Sequence, residues 1–239
     1  MKKITGTLLS VLVLMLMVSA CSTPPSNPPP VSTSTAVQVP TDQAPTELAA
    51  VVTETRVALI FDDFSDPTSG WEEGEDAQGI FAYDNGSYHM TSTNADAYAW
   101  SNANLDYADV VLEVDIRFNN NLHQFAGVVC RMVDKDNYYV LEITSRGEFI
   151  IRKYQDGQWT NLVKRQMQTG YDILTGEGDV NRLTASCTGS QLTLAVNGET
   201  LAQVTTADEF SSGDVGMISG TFDDPGGDVS FDNFKVTAP

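Results

Sequence analysis

Polar side chains set inside apolar, alternating segments are the first candidates for chemistry in this chain. Arg131, Glu142 and Lys153 interrupt such segments, and Glu113, Asp115 and Arg117 recur with a period of two. Arginine and carboxylate groups form directed hydrogen bonds to a hydroxyl-rich ligand. Aromatic rings stack on a ligand's apolar face, and Trp100, Tyr139, Tyr154 and Trp159 are available for that. The same residues would also make a solvated sheet face, whose cross-strand ion pairs contribute under ~1 kcal/mol each. Trp71, near the first turn, reads as packing. Two acidic sets flank the segment: Asp62, Asp63 and Asp66 near its start, and Asp223, Asp224, Asp228 and Asp232 near its end. Brought together, Asp63, Asp66, Asp223 and Asp232 would help cage a Ca²⁺, which takes about six to eight oxygens. Kept apart, they serve turns by bonding nearby backbone.

Other chemistries lack their residues. There is no nucleophile elbow, no zinc-binding helix motif and no glycine-rich phosphate loop. Cys130 and Cys187 stand far from His89 and His123, without zinc-ligand spacing. Neither histidine has an evident carboxylate partner in the sequence, so both read as turn or edge residues. The chain carries 13 Lys and Arg against 32 Asp and Glu, a net charge of −19. Nucleic acid and anionic lipid would be repelled, whereas cations and neutral glycans would not.

These residues need strands to position them. Val110, Leu112, Val114, Ile116 and Phe118 alternate with Val111, Glu113, Asp115 and Arg117. Val128, Cys130 and Met132 alternate with their neighbours in the same way, and similar runs cover 138–144, 148–154, 182–187, 191–196 and 229–236. Turn chemistry separates them: Asp84-Asn85-Gly86, Asp156-Gly157 and Asn197-Gly198. Asn197-Gly198 between two alternating runs predicts a two-residue hairpin. No segment sustains a helical period. The expectation is an all-β antiparallel sandwich of jelly-roll type over residues 57–239.

The residues then become recognisable. Phe61-Asp62-Asp63-Phe64 opens the domain, with Gly70-Trp71 soon after. Asp134-Lys135-Asp136-Asn137-Tyr138-Tyr139, Tyr154-Gln155-Asp156-Gly157-Gln158-Trp159 and Leu192 to Gly198 follow. Gly213-Asp214-Val215-Gly216, Gly220-Thr221-Phe222-Asp223 and Phe231-Asp232-Asn233-Phe234 close it. Together, across nearly all of residues 60–236, these resemble the concanavalin A-like lectin/glucanase jelly roll. More narrowly, they resemble its branch of 3-keto-disaccharide hydrolase domains and laminin G-like sugar-binding modules. The resemblance implies that the first and last strands are neighbours. It also implies a saccharide groove on one sheet, lined by Trp100, Arg131, Tyr139, Glu142, Lys153 and Trp159, and a structural calcium. In glucanases of this fold a Glu-x-Asp-x-x-Glu motif supplies two carboxyls, which retaining enzymes hold ~5 Å apart. Glu113-Val114-Asp115 begins that pattern, but Phe118 stands where the second Glu is needed. No residue is therefore assigned a catalytic role. The leading expectation is non-catalytic carbohydrate binding by a monomer. A 3-keto-disaccharide hydrolase-type enzyme and a structural protein-interaction module are the alternatives.

The N-terminal quarter reads differently. Lys2 and Lys3 precede an apolar stretch from Leu8 to Val18, which is shorter than the ~20 residues a membrane span needs. Val18-Ser19-Ala20-Cys21 then resembles the lipobox of bacterial lipoproteins, which implies cleavage after Ala20 and a diacylglyceryl group on Cys21. Seven of the ten prolines lie between Pro24 and Pro45, so residues 21–56 read as an extended Pro/Ser/Thr-rich tether. Two acyl chains suffice for stable anchoring. The expected location is the extracytoplasmic face of a cell membrane or outer membrane; Ser22, rather than Asp, is compatible with the latter. With Cys21 acylated, Cys130 and Cys187 remain. In an exported domain they are expected to form a disulfide, the alternative being two buried thiols. Cells fed an alkyne-tagged fatty acid should label the wild-type chain, whereas Cys21→Ser should lose the label and leave the membrane fraction.

Overall fold

The structure is a computed structural model that describes residues 58–165, 173–207 and 209–239; the predicted signal peptide, Cys21 and the tether lie outside them. Every regular element among these residues is a β-strand. In order they are β1 (Ala58–Asp62), β2 (Gly74–Glu75), β3 (Gly79–Asp84), β4 (Ser87–Ser92), β5 (Tyr98–Asn102), β6 (Val110–Phe118), β7 (Gln124–Asp134) and β8 (Asn137–Thr144). They continue with β9 (Phe149–Gln155), β10 (Gln158–Arg165), β11 (Val180–Thr188), β12 (Gln191–Val196), β13 (Glu199–Thr205), β14 (Asp214–Thr221) and β15 (Gly227–Thr237).

The strands form two antiparallel sheets. One runs β13-β12-β11-β6-β15-β4-β3-β2, with β1 added on β15; the other runs β10-β9-β8-β7-β14-β5. The ends of the domain meet as expected: Asp62 lies opposite Phe234, and Ile60 opposite Val236. Strand β15 bulges between Asp232 and Lys235, where Asn233 takes a left-handed φ of 51°. Asn197 and Gly198, at φ 51° and 87°, close the β12–β13 hairpin with Val196 opposite Glu199. Positive φ at both central residues is what this turn type requires.

The core follows from the alternation. Val110, Leu112, Val114, Ile116 and Phe118 of β6 point inward and are buried, against Val128, Cys130, Leu141, Ile151, Met217 and Phe231. The Cys130 and Cys187 sulfurs are bonded, joining β7 of one sheet to β11 of the other. The expected disulfide is therefore a cross-link between the two layers. Its partners are 57 positions apart, and closing such a loop is worth about 4 kcal/mol in the chain-entropy account. The double variant Cys130→Ala/Cys187→Ala should lose roughly that much in a urea unfolding titration, with the β content of its circular dichroism spectrum unchanged.

Candidate functional site

The six-stranded sheet is buried on both faces, which strict half-polar alternation does not predict. Its outer face carries a second apolar layer. Phe125, Val129, Met132, Tyr138, Val140 and Ile218 are buried there, and Tyr98, Trp100, Tyr154, Trp159 and Phe222 are packed on them. Register explains the grouping. Tyr138 lies opposite Tyr154, which lies opposite Trp159 across the Asp156-Gly157 turn. Trp100 lies opposite Ile218, Ile218 opposite Gly127, and Gly127 opposite Glu142. Gly127 is required at that crossing, because a Cβ there would collide with the Leu141 carbonyl and stand 2.8 Å from the Glu142 Cβ.

The rings form a continuous wall. Tyr154 and Trp159 have centroids 4.6 Å apart, and Tyr138 lies 5.2 Å from Tyr154. Tyr98 stacks on Trp100 at 5.8 Å and meets Trp159 edge-on at 5.4 Å. Tyr98, Trp100 and Tyr154 line an open cavity of about 480 Å³. Its other lining residues include Gln78, Asn94, Asp96, Lys135 and Asp136. Trp100 also borders two adjoining hollows, one with Glu72 and Asp76 and the other with Asn102 and Asn104. The result is a trough along the edge strand β5, lined by aromatic rings and by amide and charged side chains. Burial pushes the Tyr98 hydroxyl up to about 12, so it stays a neutral donor and acceptor.

Behind the wall lies a buried ion pair. Arg152 Nη2 donates to Glu142 Oε2 at 2.8 Å, and Glu142 is fully buried. The guanidinium carbon sits 3.8 Å from the Trp159 ring centre and 4.6 Å from that of Phe125. Burial pushes the Glu142 carboxyl up to about 6, against the opposing pull of Arg152 and Lys164. Glu142 Oε1, Arg152 Nε and the Tyr138 hydroxyl have no hydrogen-bond partner.

The residues anticipated from sequence divide. Trp100 and Trp159 lie on the aromatic face, and Glu142 lies beneath it. Tyr139 and Lys153 do not join them: they oppose each other across β8 and β9 and meet on Glu209, at 3.2 Å from the Tyr139 hydroxyl and 2.9 Å from Lys153 Nζ. Arg131 is a buried strut. It sits at φ 51° beside the β7 bulge and donates to the Ala108 and Phe210 carbonyls and to Asp109. With Nε, Nη1 and Nη2 each bonded within the fold and 2% of the residue exposed, Arg131 braces the structure. Arg152, Tyr98 and Tyr138 were not anticipated. The signal for Arg152 was its parity with Tyr154, two positions on, which the two-residue turn then sets opposite Trp159.

Of the four aspartates expected to hold calcium, Asp232 has its carboxyl pushed up by burial and by the nearby charges of Asp115 and Asp63. Asp63 accepts from Ser65 and Asp66 from Thr68, each within its own turn, while Asp223 accepts from His123. Among the described residues no group of three or more His, Cys, Asp or Glu side chains could hold a metal ion. Glu113, Asp115 and Arg117 do share a face, the outer one of the nine-stranded sheet. There Arg182 grips Asp115 with two bonds of 2.7 and 2.6 Å, and Lys235 lies 3.6 Å from Glu113. The histidines do have carboxylate partners. His89 Nδ1 is 3.4 Å from Asp228; His123 Nδ1 is 3.1 Å from Asp223, and its Nε2 is 3.7 Å from Glu148. These pairings join residues up to 139 positions apart (His89 to Asp228), beyond the reach of local spacing.

Glu142 has a measurable signature. Its pKa in the folded chain lies above its ordinary value, so the folded state favours the protonated form. That contribution is complete below about pH 4.5 and is lost as pH rises through about 6. The change is on the order of 2 kcal/mol. Urea unfolding between pH 4 and 7.5 should show that Glu142→Gln, relative to wild type, gains stability across this window and by this amount. Parallel pH profiles would overturn the assignment.

None of the curated proteins compared matches the chain. Among solved structures, the carbohydrate-binding module CBM66 from Bacillus subtilis superposes with a TM-score of 0.56 at 14% identity, over 71% of this chain and 96% of its own. A Bacillus subtilis protein of unknown function with a galectin-like fold gives 0.58 at 12%, over 76% and 96%. The Bacillus licheniformis β-glucanase gives 0.56 at 12%, over 75% and 98%. At these identities the likeness is one of fold: a jelly roll used by carbohydrate-binding modules and by glycoside hydrolases alike. Residues 58–237 match the family described as the 3-keto-alpha-glucoside-1,2-lyase-like domain, and the chain belongs to that family.

Proposed function

We propose that the domain binds carbohydrate in the trough along β5 and does so without catalysis, while displayed from a lipid anchor on Cys21 outside the cytoplasm. The carrying observation is an open cavity lined by the rings of Tyr98, Trp100 and Tyr154 together with amide and charged side chains. A sugar ring presents apolar C–H faces to aromatic rings and hydroxyls to amides and carboxylates, so the two kinds of lining match its two kinds of surface. The strongly acidic chain fits neutral glycans better than anionic ones.

A second reading is elimination from 3-keto-α-glucosides, the chemistry in the family's name. A ketone at C3 acidifies the C2–H bond; a base takes that proton while the C1–O bond breaks, and the departing oxygen is protonated. His123, held by Asp223 at 3.1 Å beside Phe222 at the end of the same face, is a base already oriented by a carboxylate.

The full chain, applied to a glycan array and to affinity gels containing neutral polysaccharides, should bind. Trp100→Ala should weaken binding by tenfold or more, about 1.4 kcal/mol. A chain that binds nothing on either support would overturn the leading reading. Release of free sugar from a 3-keto-α-glucoside, abolished in His123→Ala, would establish the second.

A further inference from the structure

Three polar atoms behind the aromatic wall are unspent. Glu142 Oε1 is an acceptor, Arg152 Nε a donor, and the Tyr138 hydroxyl can be either. All three are buried and without a partner, and Glu142 and Tyr138 have no exposed surface. Each orphaned buried group costs free energy comparable to a lost hydrogen bond. An apolar pair of the same volume would avoid that cost and often matches a buried ion pair in stability. Stability alone therefore gives no reason for this arrangement.

The three atoms belong to one place. Arg152 and Glu142 are bonded to each other. Tyr138 shares the outer face of β8 with Glu142, and its ring lies 5.9 Å from Trp159, which covers the guanidinium. Trp159 is the cover best able to move. It is only partly buried, and it lies on β10, an edge strand with one neighbour and a register shift between Asn161 and Val163. Edge segments with few neighbours open most readily.

Resting on the carbohydrate reading, we propose that Glu142, Arg152 and Tyr138 floor a second compartment of the trough, closed by Trp159, that takes two adjacent hydroxyls of a sugar ring. One hydroxyl donates to Glu142 Oε1. Its neighbour accepts from Arg152 Nε, and the Tyr138 hydroxyl completes whichever valence is left. Trp159 and Tyr154, displaced together, supply the stacking surface above. A vicinal diol offers a donor and an acceptor side by side, as this acceptor and donor require, whereas a carboxylate would meet the Glu142 charge.

Tyr138→Phe is the mildest test, because it removes one hydroxyl and keeps the ring that packs against Tyr154 and Trp159. The probes are methyl α-glucoside and its 2-deoxy and 3-deoxy forms, titrated into the full chain and followed by NMR, with thermal melts in parallel. Tyr138→Phe should melt at or above the wild-type temperature yet bind methyl α-glucoside about tenfold more weakly. Glu142→Gln should lose affinity similarly and no longer distinguish the parent sugar from the deoxy form that wild type rejects. If Trp100→Ala weakens binding while Tyr138→Phe and Glu142→Gln bind as wild type, the compartment is wrong and the trough stands. If wild type binds none of the probes, this proposal fails, and the glycan array decides the trough separately. A Tyr138→Phe variant that is destabilised with unchanged affinity also overturns the proposal, since the hydroxyl would then serve the fold.

Discussion

The organising constraint is that the six-stranded sheet must be covered twice. Its inner face joins the sandwich core, as any half-buried sheet would. Its outer face has no third layer of strands among the described residues, and instead its own large side chains lie down on it. That requires space between strands. Gly127 provides it beneath Glu142, and Gly220 beneath the Phe125 ring. Rings recumbent on a sheet edge make a wall, and a wall beside the β2–β3 side of the sandwich makes a trough. Site and sheet covering are thus one arrangement of residues.

Electrostatics separates the two outer faces. The nine-stranded sheet carries Arg182 with Asp115 and Lys235 with Glu113 on its outer face, short-range pairs of the kind that contribute little to stability and need no ligand. The six-stranded sheet withdraws one pair, Arg152 and Glu142, behind aromatic rings where water cannot screen it. There a single good hydrogen bond leaves one carboxylate oxygen and one guanidinium donor unspent, a large penalty in a low dielectric. The burial that makes the pair costly is also what raises the Glu142 carboxyl toward neutrality.

The sequence made the fold legible because it is written in period-two alternation and two-residue turns, both local. Asn197-Gly198 and Asp156-Gly157 sit where their φ values require them, and the neighbouring ends follow from jelly-roll resemblance. The site was legible only in part. Trp100 and Trp159 were visible as rings in strands, but nothing local told inward from outward. Lys153 was assigned to the ligand face as a charge inside an apolar run and Tyr139 as an available ring, yet parity turns both toward Glu209. Arg131 looked like a strand residue facing a groove, but the β7 bulge and its left-handed φ redirect it into a strut. His123 finds Asp223 and Glu148 only through tertiary pairing.

The same sheet face therefore holds three chemically distinct zones: an open ring wall at one end, a closed ion pair in the middle, and a carboxylate-bracketed histidine at the other. Binding needs only the first. Elimination from a keto sugar would need a base and an acid within reach of one bound ring, so at least two zones would have to act on a single ligand. The middle zone is the only one adjacent to both others, through Tyr138 and Trp159 on one side and Phe125 and Phe222 on the other. A ligand that enters the closed compartment would lie within reach of both other zones, which transforming a sugar requires and merely holding one does not.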